Sequence, residues 1–320
     1  MTRVAAVDCG TNSIRLLISD VQPDGKIKDV TRTMEIVRLG QGVDAYGELA
    51  PEAIQRTREA LEGFVRQMKF EHVTKVRMVA TSATRDAKNQ KEFFDMTSDV
   101  LSAIVPGARA EVITGEDEAL LSFQGAVSDL SADRGPFCVI DLGGGSTEFV
   151  VGSADGEIFG SHSAQVGCVR ITERIMRTDP PTETEVEIAR DFVESRMQEV
   201  EKIVPVNKAI TFVGCAGTFT TLSALAQGLE KYDADSIHGS ELRFDALRVL
   251  CEQMIKVPSD NRALNPVIHP GRADVIGGGA VAVEGIMRMV ERNSEARHFV
   301  ISEKDILDGL TADMAREVCE

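Results

Sequence analysis

The sequence holds no Cys-x-x-Cys pair, no apolar run near the roughly 20 residues that a membrane helix needs, and no excess of basic residues. Six cysteines (Cys9, Cys138, Cys168, Cys215, Cys251 and Cys319) are scattered along the chain. That spacing argues against a zinc knuckle or a dithiol redox motif and suits thiols that stay reduced. Five of them lie in or beside apolar segments and read as small buried hydrophobes. The 35 Lys and Arg against 51 Asp and Glu leave a net charge of −16, which argues against nucleic acid or an anionic membrane as partner. Two phosphate-binding signatures are also missing: no Gly-x-x-x-x-Gly-Lys occurs, and no Gly-x-Gly-x-x-Gly precedes a helix, so P-loop and Rossmann readings fail. Residues 1–8 run straight into a strand pattern, leaving no room for a signal peptide. A cytoplasmic protein is expected.

What is present is an internal repeat. At 320 residues the chain has room for about two domains. Val7-Asp8-Cys9-Gly10-Thr11-Asn12-Ser13 returns 133 positions later as Ile140-Asp141-Leu142-Gly143-Gly144-Gly145-Ser146. The same offset carries the amphipathic helix pattern of Glu52–Lys69 onto Glu185–Lys202, and the apolar run Val76–Ala80 onto Ala209–Val213. Three elements sharing one offset indicate a duplicated unit: a hairpin, a further extended segment, a helix, a strand and a helix. Such an order builds a helix-covered α/β sheet in each half. The boundary is expected near Phe123–Asp133, giving domains over 1–126 and 127–320. Pro180-Pro181 and Pro258–Pro270 read as loops, and Lys304–Val318 as a last helix that could pack back on the first half.

A strand, an aspartate and a Gly/Ser/Thr turn into a second strand leave backbone N–H groups pointing outward, a concavity suited to phosphate. Two such loops would clamp a phosphate chain from both sides, with Asp8 and Asp141 as oxygen ligands for Mg²⁺. Taken singly, each loop could equally be a hairpin turn capped by its aspartate; the pair at matching positions favours phosphate.

These segments resemble the exopolyphosphatase/guanosine-pentaphosphate phosphohydrolase (Ppx/GppA) family. Asp141–Glu148 resembles its second phosphate loop and Asp8–Ser13 its first. Ala80–Ala87, Ile113–Ala119, Val166–Arg170 and His269–Asp274 are similar to further family segments. The resemblance implies an α/β, duplicated actin-like (ribonuclease H-like) two-domain fold, with the active site between the halves. A chain ending near residue 320 is similar to the short members, without the C-terminal helical domains of longer ones.

By the same resemblance Glu118 is the general base, whereas Glu116 and Asp117 suit a helix N-terminus by their charge alone. Asp141 and Glu148 are implied as holders of Mg²⁺ and the attacking water, with Asp8 sharing the metal. Mn²⁺ is an alternative ion and K⁺ an admissible activator. Arg85 is the phosphate clamp, since a guanidinium can grip phosphate bidentately. Gly10, Thr11, Asn12, Ser13, Gly143, Gly144, Gly145 and Ser146 would receive phosphate oxygens, with Arg272 a further contact and His269 left open. Gly277-Gly278-Gly279 could serve adenosine in kinase relatives or simply close packing.

The expected activity is hydrolysis of terminal phosphate from inorganic polyphosphate. The alternative within the family is conversion of pppGpp to ppGpp. An actin- or chaperone-like ATP-binding scaffold and a sugar or acetate kinase are the readings from other classes. The Gly115-Glu116-Asp117-Glu118 segment weighs against a kinase. A homodimer is implied by the family alone.

Overall fold

The computed structural model describes residues 1–319, which fall into two compact units: Met1–Gly125 together with the chain from Ile306 on, and Ala126–Asp305. In chain order the first carries β1 (Thr2–Cys9), β2 (Ser13–Val21), β3 (Ile27–Ile36), α1 (Val43–Tyr46), α2 (Pro51–Phe70), β4 (Lys75–Ala80), α3 (Ser82–Asp86), α4 (Gln90–Leu101), β5 (Ala110–Val112) and α5 (Gly115–Val127). The second opens with β6 (Phe137–Leu142), β7 (Thr147–Gly152), β8 (Ile158–Ala164), α6 (Cys168–Arg174) and α7 (Glu183–Ile203). It continues through β9 (Thr211–Cys215), α8 (Ala216–Ala226), α9 (Ala234–Ile237), β10 (Glu241–Arg243) and α10 (Phe244–Lys256). It ends with α11 (Ser259–Arg262), α12 (Ile276–Asn293) and β11 (His298–Ile301), after which α13 (Ile306–Cys319) rejoins the first unit.

The sheets have matching topologies. Among the described residues the first is ordered β3-β2-β1-β4-β5 and the second β8-β7-β6-β9-β11-β10. In each, an antiparallel hairpin and a third antiparallel strand flank parallel strands. Even the irregularity repeats: the register slips between Ile18 and Ser19 in β2, and 133 positions on, between Val151 and Gly152 in β7. A bulge at the same place in both copies is a built feature of the hairpin rather than a defect.

Helices cover the sheets by burying apolar stripes. Helix α2 starts with Pro51 at a position where its missing N–H costs nothing, and it buries Leu61, Phe64, Val65 and Met68 against β1, β2 and β4. Its counterpart α7 starts with a capping box, in which Thr182 Oγ1 accepts from Glu185 N–H while Glu185 accepts from Thr182 N–H. Val193 and Met197 on α7 meet the Cβ-free side of Gly285 on α12, where an added carbon would lie 2.4 Å from Val193. Helix α13 packs Ile306, Leu307, Leu310 and Met314 on Val4, Ala6, Leu17 and Val79, the face of the first sheet opposite α2.

Two details differ from the sequence expectations. The segment 258–270 is not all loop but carries α11. Strand β9 starts at Thr211 rather than Ala209, because a 3₁₀ turn over Val206–Lys208 takes the chain out of α7 first.

Candidate active site

In an open α/β sheet, ligands bind beyond the carboxyl ends of the parallel strands. The expected site residues lie there. In the first unit β1, β4 and β5 end at Cys9, Ala80 and Val112. The segments that follow are Gly10–Ser13, Thr81–Arg85 and the start of α5 with Glu118. In the second unit β6 ends at Leu142, directly before Gly143–Ser146.

Both loops close in the same way: Gly10 N–H donates to Ser13 O at 3.0 Å, and Gly143 N–H donates to Ser146 O at 3.0 Å. In both, later chain occupies the loop carbonyls. Val37 and Arg38 N–H donate to Asn12 O and Gly40 N–H to Thr11 O. In the second unit Cys168 N–H donates to Gly143 O, Val169 and Arg170 N–H donate to Gly144 O, and Arg170 Nε donates to Gly145 O at 2.7 Å. Buried carbonyls are thus satisfied from behind, as they must be. Gly167 is required by this packing: a Cβ there would sit 2.3 Å from Gly144 O.

Around the first loop, polar groups converge without protein partners. Thr11 Oγ1, Ser82 Oγ, Thr84 Oγ1 and Arg85 Nη2 are buried and accept or donate no hydrogen bond among the described residues. Buried polar groups are nearly always satisfied, so four such atoms in two short segments mark a place built to receive hydrogen-bonding oxygens. Arg85 Nη1 donates to Ile113 O at 3.0 Å and to Glu118 Oε2 at 3.1 Å. The expected clamp therefore holds the expected base, which is itself only 8% exposed. Thr114 Oγ1 caps the first turn of α5 by accepting from Asp117 N–H and donating to its carboxylate. Asp117 thus belongs to the helix start.

The cross-strand partners of the two aspartates differ. Asp8 lies opposite Arg15, whose Nη2 and Nε donate to Asp8 Oδ2 at 2.7 and 3.0 Å. Asp141 lies opposite Glu148, which is 2% exposed. Ser146 Oγ and Ser163 Oγ both donate to Glu148 Oε1, at 2.7 and 2.8 Å.

Two carboxylates side by side repel unless a cation or proton joins them. Asp141 and Glu148 therefore fit a divalent cation, whereas Asp8 is committed to a guanidinium. The sequence reading gave Asp8 a share of the metal; the structure gives its Oδ2 the Arg15 guanidinium as partner. No cluster of three or more His, Cys, Asp or Glu side chains suited to a metal occurs among the described residues. Mg²⁺ does not need one, because it commonly takes one or two carboxylates and completes its shell with water and phosphate oxygens.

The remaining candidates fall into place around the second loop. The Arg272 guanidinium lies on Gly217 at the β9–α8 turn, where a Cβ would meet Nη1 at 1.8 Å. Its charge is felt at Cys168, the residue whose N–H holds Gly143. His269 Nδ1 accepts from Gly271 N–H, a local structural role. Gly278 and Gly279 allow α12 to close on Cys168 O and Thr218, so that run serves packing. Burial pushes the Cys9 thiol well up, helped by the charge of Asp8, and pushes Cys168 up to about 11 and Cys138 up to about 12. These thiols are inert.

Residues 17–314 match the Ppx/GppA phosphatase family. The chain belongs to that family. Its Ppx/GppA relatives include Exopolyphosphatase 2 of Mycobacterium tuberculosis, 52% identical over 318 residues that span 98% of this chain and 99% of the relative. A crystal structure of an exopolyphosphatase-like protein superposes with a TM-score of 0.91 at 38% identity, covering 99% of this chain and all of the other. A guanosine-5′-triphosphate,3′-diphosphate pyrophosphatase from Photobacterium profundum is 30% identical over 71% of this chain and 44% of its own length. This Ppx/GppA chain is thus a phosphoanhydride hydrolase built on a duplicated actin-like α/β fold. Among the described residues no helix is long and apolar enough to cross a membrane.

Arg15, Arg170, Ser82, Thr84 and Ser163 were absent from the sequence-derived set. A signal for Arg15 existed: a hairpin turn at 10–13 places residues 8 and 15 opposite each other, and the 133-residue offset aligns Arg15 with Glu148.

Proposed function

We propose that this protein is a Mg²⁺-dependent exopolyphosphatase that removes terminal phosphate from inorganic polyphosphate. The observation that carries the proposal is the partly buried Arg85–Glu118 pair with the orphaned hydroxyls of Thr11, Ser82 and Thr84, a set that combines a base with oxyanion donors. The attacking water forms the new P–O bond while Glu118 takes its proton. The bridging P–O bond breaks, and the shortened chain leaves with the electron pair. Glu118 then returns its proton to the leaving oxygen or to solvent. Arg85 Nη2 and the hydroxyls of Thr11, Ser82 and Thr84 supply donors to phosphoryl oxygens, which is most of what phosphoryl transfer asks of a protein. Asp141 and Glu148 would hold Mg²⁺, which would supply charge neutralisation to phosphate oxygens when bound. The loop N–H groups of Gly143–Ser146 would take further phosphate oxygens.

Polyphosphate is favoured over pppGpp because the relative matched end to end is named an exopolyphosphatase, whereas the guanosine-named relatives match over part of their length. By the same family reasoning the proposal extends to a cytoplasmic homodimer, which sedimentation would read. The deciding assay measures Mg²⁺-dependent phosphate release from long-chain polyphosphate and from pppGpp, with Glu118→Ala as control. Release from polyphosphate, lost in the variant by about 10²–10⁴-fold, is expected. Release from pppGpp alone would move the activity to alarmone hydrolysis. A fully active Glu118→Ala would overturn the assignment of the base.

A further inference from the structure

Strand register places three polar residues in one row across the second sheet: Asp141 on β6, Glu148 on β7 and Ser163 on β8. Ser163 is half-buried on the edge strand, where a serine can bond to water at no cost. Its hydroxyl instead donates inward to Glu148 Oε1 at 2.8 Å, beside the 2.7 Å bond from Ser146. Two hydroxyl donors on one carboxylate oxygen fix the rotation of the group about its last bond. Both bonds commit Oε1.

The duplicated row in the first sheet supplies the contrast. There Asp8 faces Arg15, and Arg15 faces Met34. Where the central residue is a guanidinium already locked on its carboxylate, the third position needs no donor, and an apolar side chain stands in it. The hydroxyl occurs in the row whose centre is a carboxylate.

We infer that Ser163 is a positioning residue for the divalent cation, orienting the Glu148 carboxylate from outside the ligand set; the inference rests on the cation reading of Asp141 and Glu148 given above. Partners that orient metal-ligating side chains in this way are worth about 10–100-fold in metal affinity.

The test is Mg²⁺ binding to the substrate-free full-length protein by calorimetry, with melting temperature as the check on folding. Ser163→Ala is expected to weaken Mg²⁺ about 10–100-fold with an unchanged melting temperature. Ser163→Thr, which keeps the hydroxyl on a strand that welcomes a β-branched residue, is expected to restore it. In the assay the alanine variant should need more Mg²⁺ for half-maximal rate yet reach wild-type kcat at saturation. Ser163→Cys keeps the size and weakens the donor, and carries the same test should the alanine variant not fold. If the wild type binds Mg²⁺ and Ser163→Ala binds it equally well, the inference fails while the cation site stands. Equal weakening in the alanine and threonine variants would make Ser163 a packing residue and also overturn it. A wild type that binds no divalent cation removes the cation site itself.

Discussion

The two copies of the duplicated hairpin share their turn, their register slip and their strand order, and carry opposite charges facing their shared aspartate. At that position the first copy has Arg15 and the second has Glu148. The first row is electrically closed, with Asp8 and Arg15 7% and 21% exposed in their side chains and 2.7 Å apart. Its surroundings then offer donors: Thr11, Ser82, Thr84 and Arg85. The second row has two carboxylates and two serine hydroxyls. On the proposed function the first copy would serve oxyanions and the second a cation, a local chemistry that the net charge of −16 does not reveal.

The largest expected effect comes from removing the charge that makes the second copy different. Glu148→Gln keeps the size of the side chain and can still accept from Ser146 and Ser163. Phosphate release should fall by about 10²–10³-fold, the scale of losing one electrostatic contributor, with Mg²⁺ dependence weakened. The melting temperature should hold or rise, because the repulsion with Asp141 is relieved. Activity near wild type would show that the acidic pair does not hold the cation.

The same kind of change in the first copy should act on stability instead. Arg15→Met leaves Asp8 buried without its guanidinium. Removing one partner of a buried pair costs about 3–5 kcal/mol, and the partial exposure of Arg15 puts the expectation at the lower end of that range. Denaturant unfolding measures it. A variant as stable as wild type would mean that Asp8 finds compensation elsewhere and that the two rows differ less than the charges suggest.

A third comparison sets a glycine inside the first loop against one packed behind the second. Gly10 faces open contact, with its nearest neighbour Ser13 O at 3.6 Å from an added Cβ, whereas at Gly167 that carbon would strike Gly144 O at 2.3 Å and Gly145 N at 2.6 Å. Backbone atoms cannot move aside as a flexible side chain can. Gly167→Ala should therefore cost about 1–3 kcal/mol, the usual penalty of overpacking, and Gly10→Ala less than about 0.5 kcal/mol. Equal melting temperatures for the two variants would show that the second loop yields where it packs against Gly167.

The repeat made much of this legible in the sequence. Each shared motif brought its strand, turn and helix with it, so the order of elements followed from residue spacing alone. Asp141, Glu148, Arg85 and Glu118 came from motifs that keep their neighbours along the chain. What spacing could not supply was pairing between distant segments. Ser163 reaches Glu148 only through the β7–β8 register, and Arg85 meets Glu118 because β4 and β5 end side by side. The pairing of Asp8 with Arg15 likewise follows from the β1–β2 register and not from the glycines and acids that the two motifs share. The orphaned hydroxyls of Ser82 and Thr84 were illegible for another reason: whether a hydroxyl is satisfied depends on every group around it, and on nothing in its own sequence.

Those hydroxyls give the smallest effect and the finest discrimination. A serine or threonine kept for structure makes a hydrogen bond in the folded protein, and deleting it costs about 0.5–1.5 kcal/mol. Among the described residues Ser82 Oγ and Thr84 Oγ1 make none, although the two residues are 2% and 0% exposed. A buried hydroxyl without a partner carries its desolvation penalty and no return. Thr84→Val, which keeps the shape, and Ser82→Ala should therefore leave the ligand-free protein as stable as before or slightly more so. If the hydroxyls donate to phosphoryl oxygens, the same variants lose one neutral hydrogen bond to a charged group, worth about 1.5–3 kcal/mol. KM for polyphosphate should then rise roughly tenfold or more. Opposite signs in stability and affinity identify a group held ready for a ligand, whereas a loss in stability with KM unchanged would assign the hydroxyls to the fold and leave Arg85 Nη2 and Thr11 Oγ1 as the donors of the first copy.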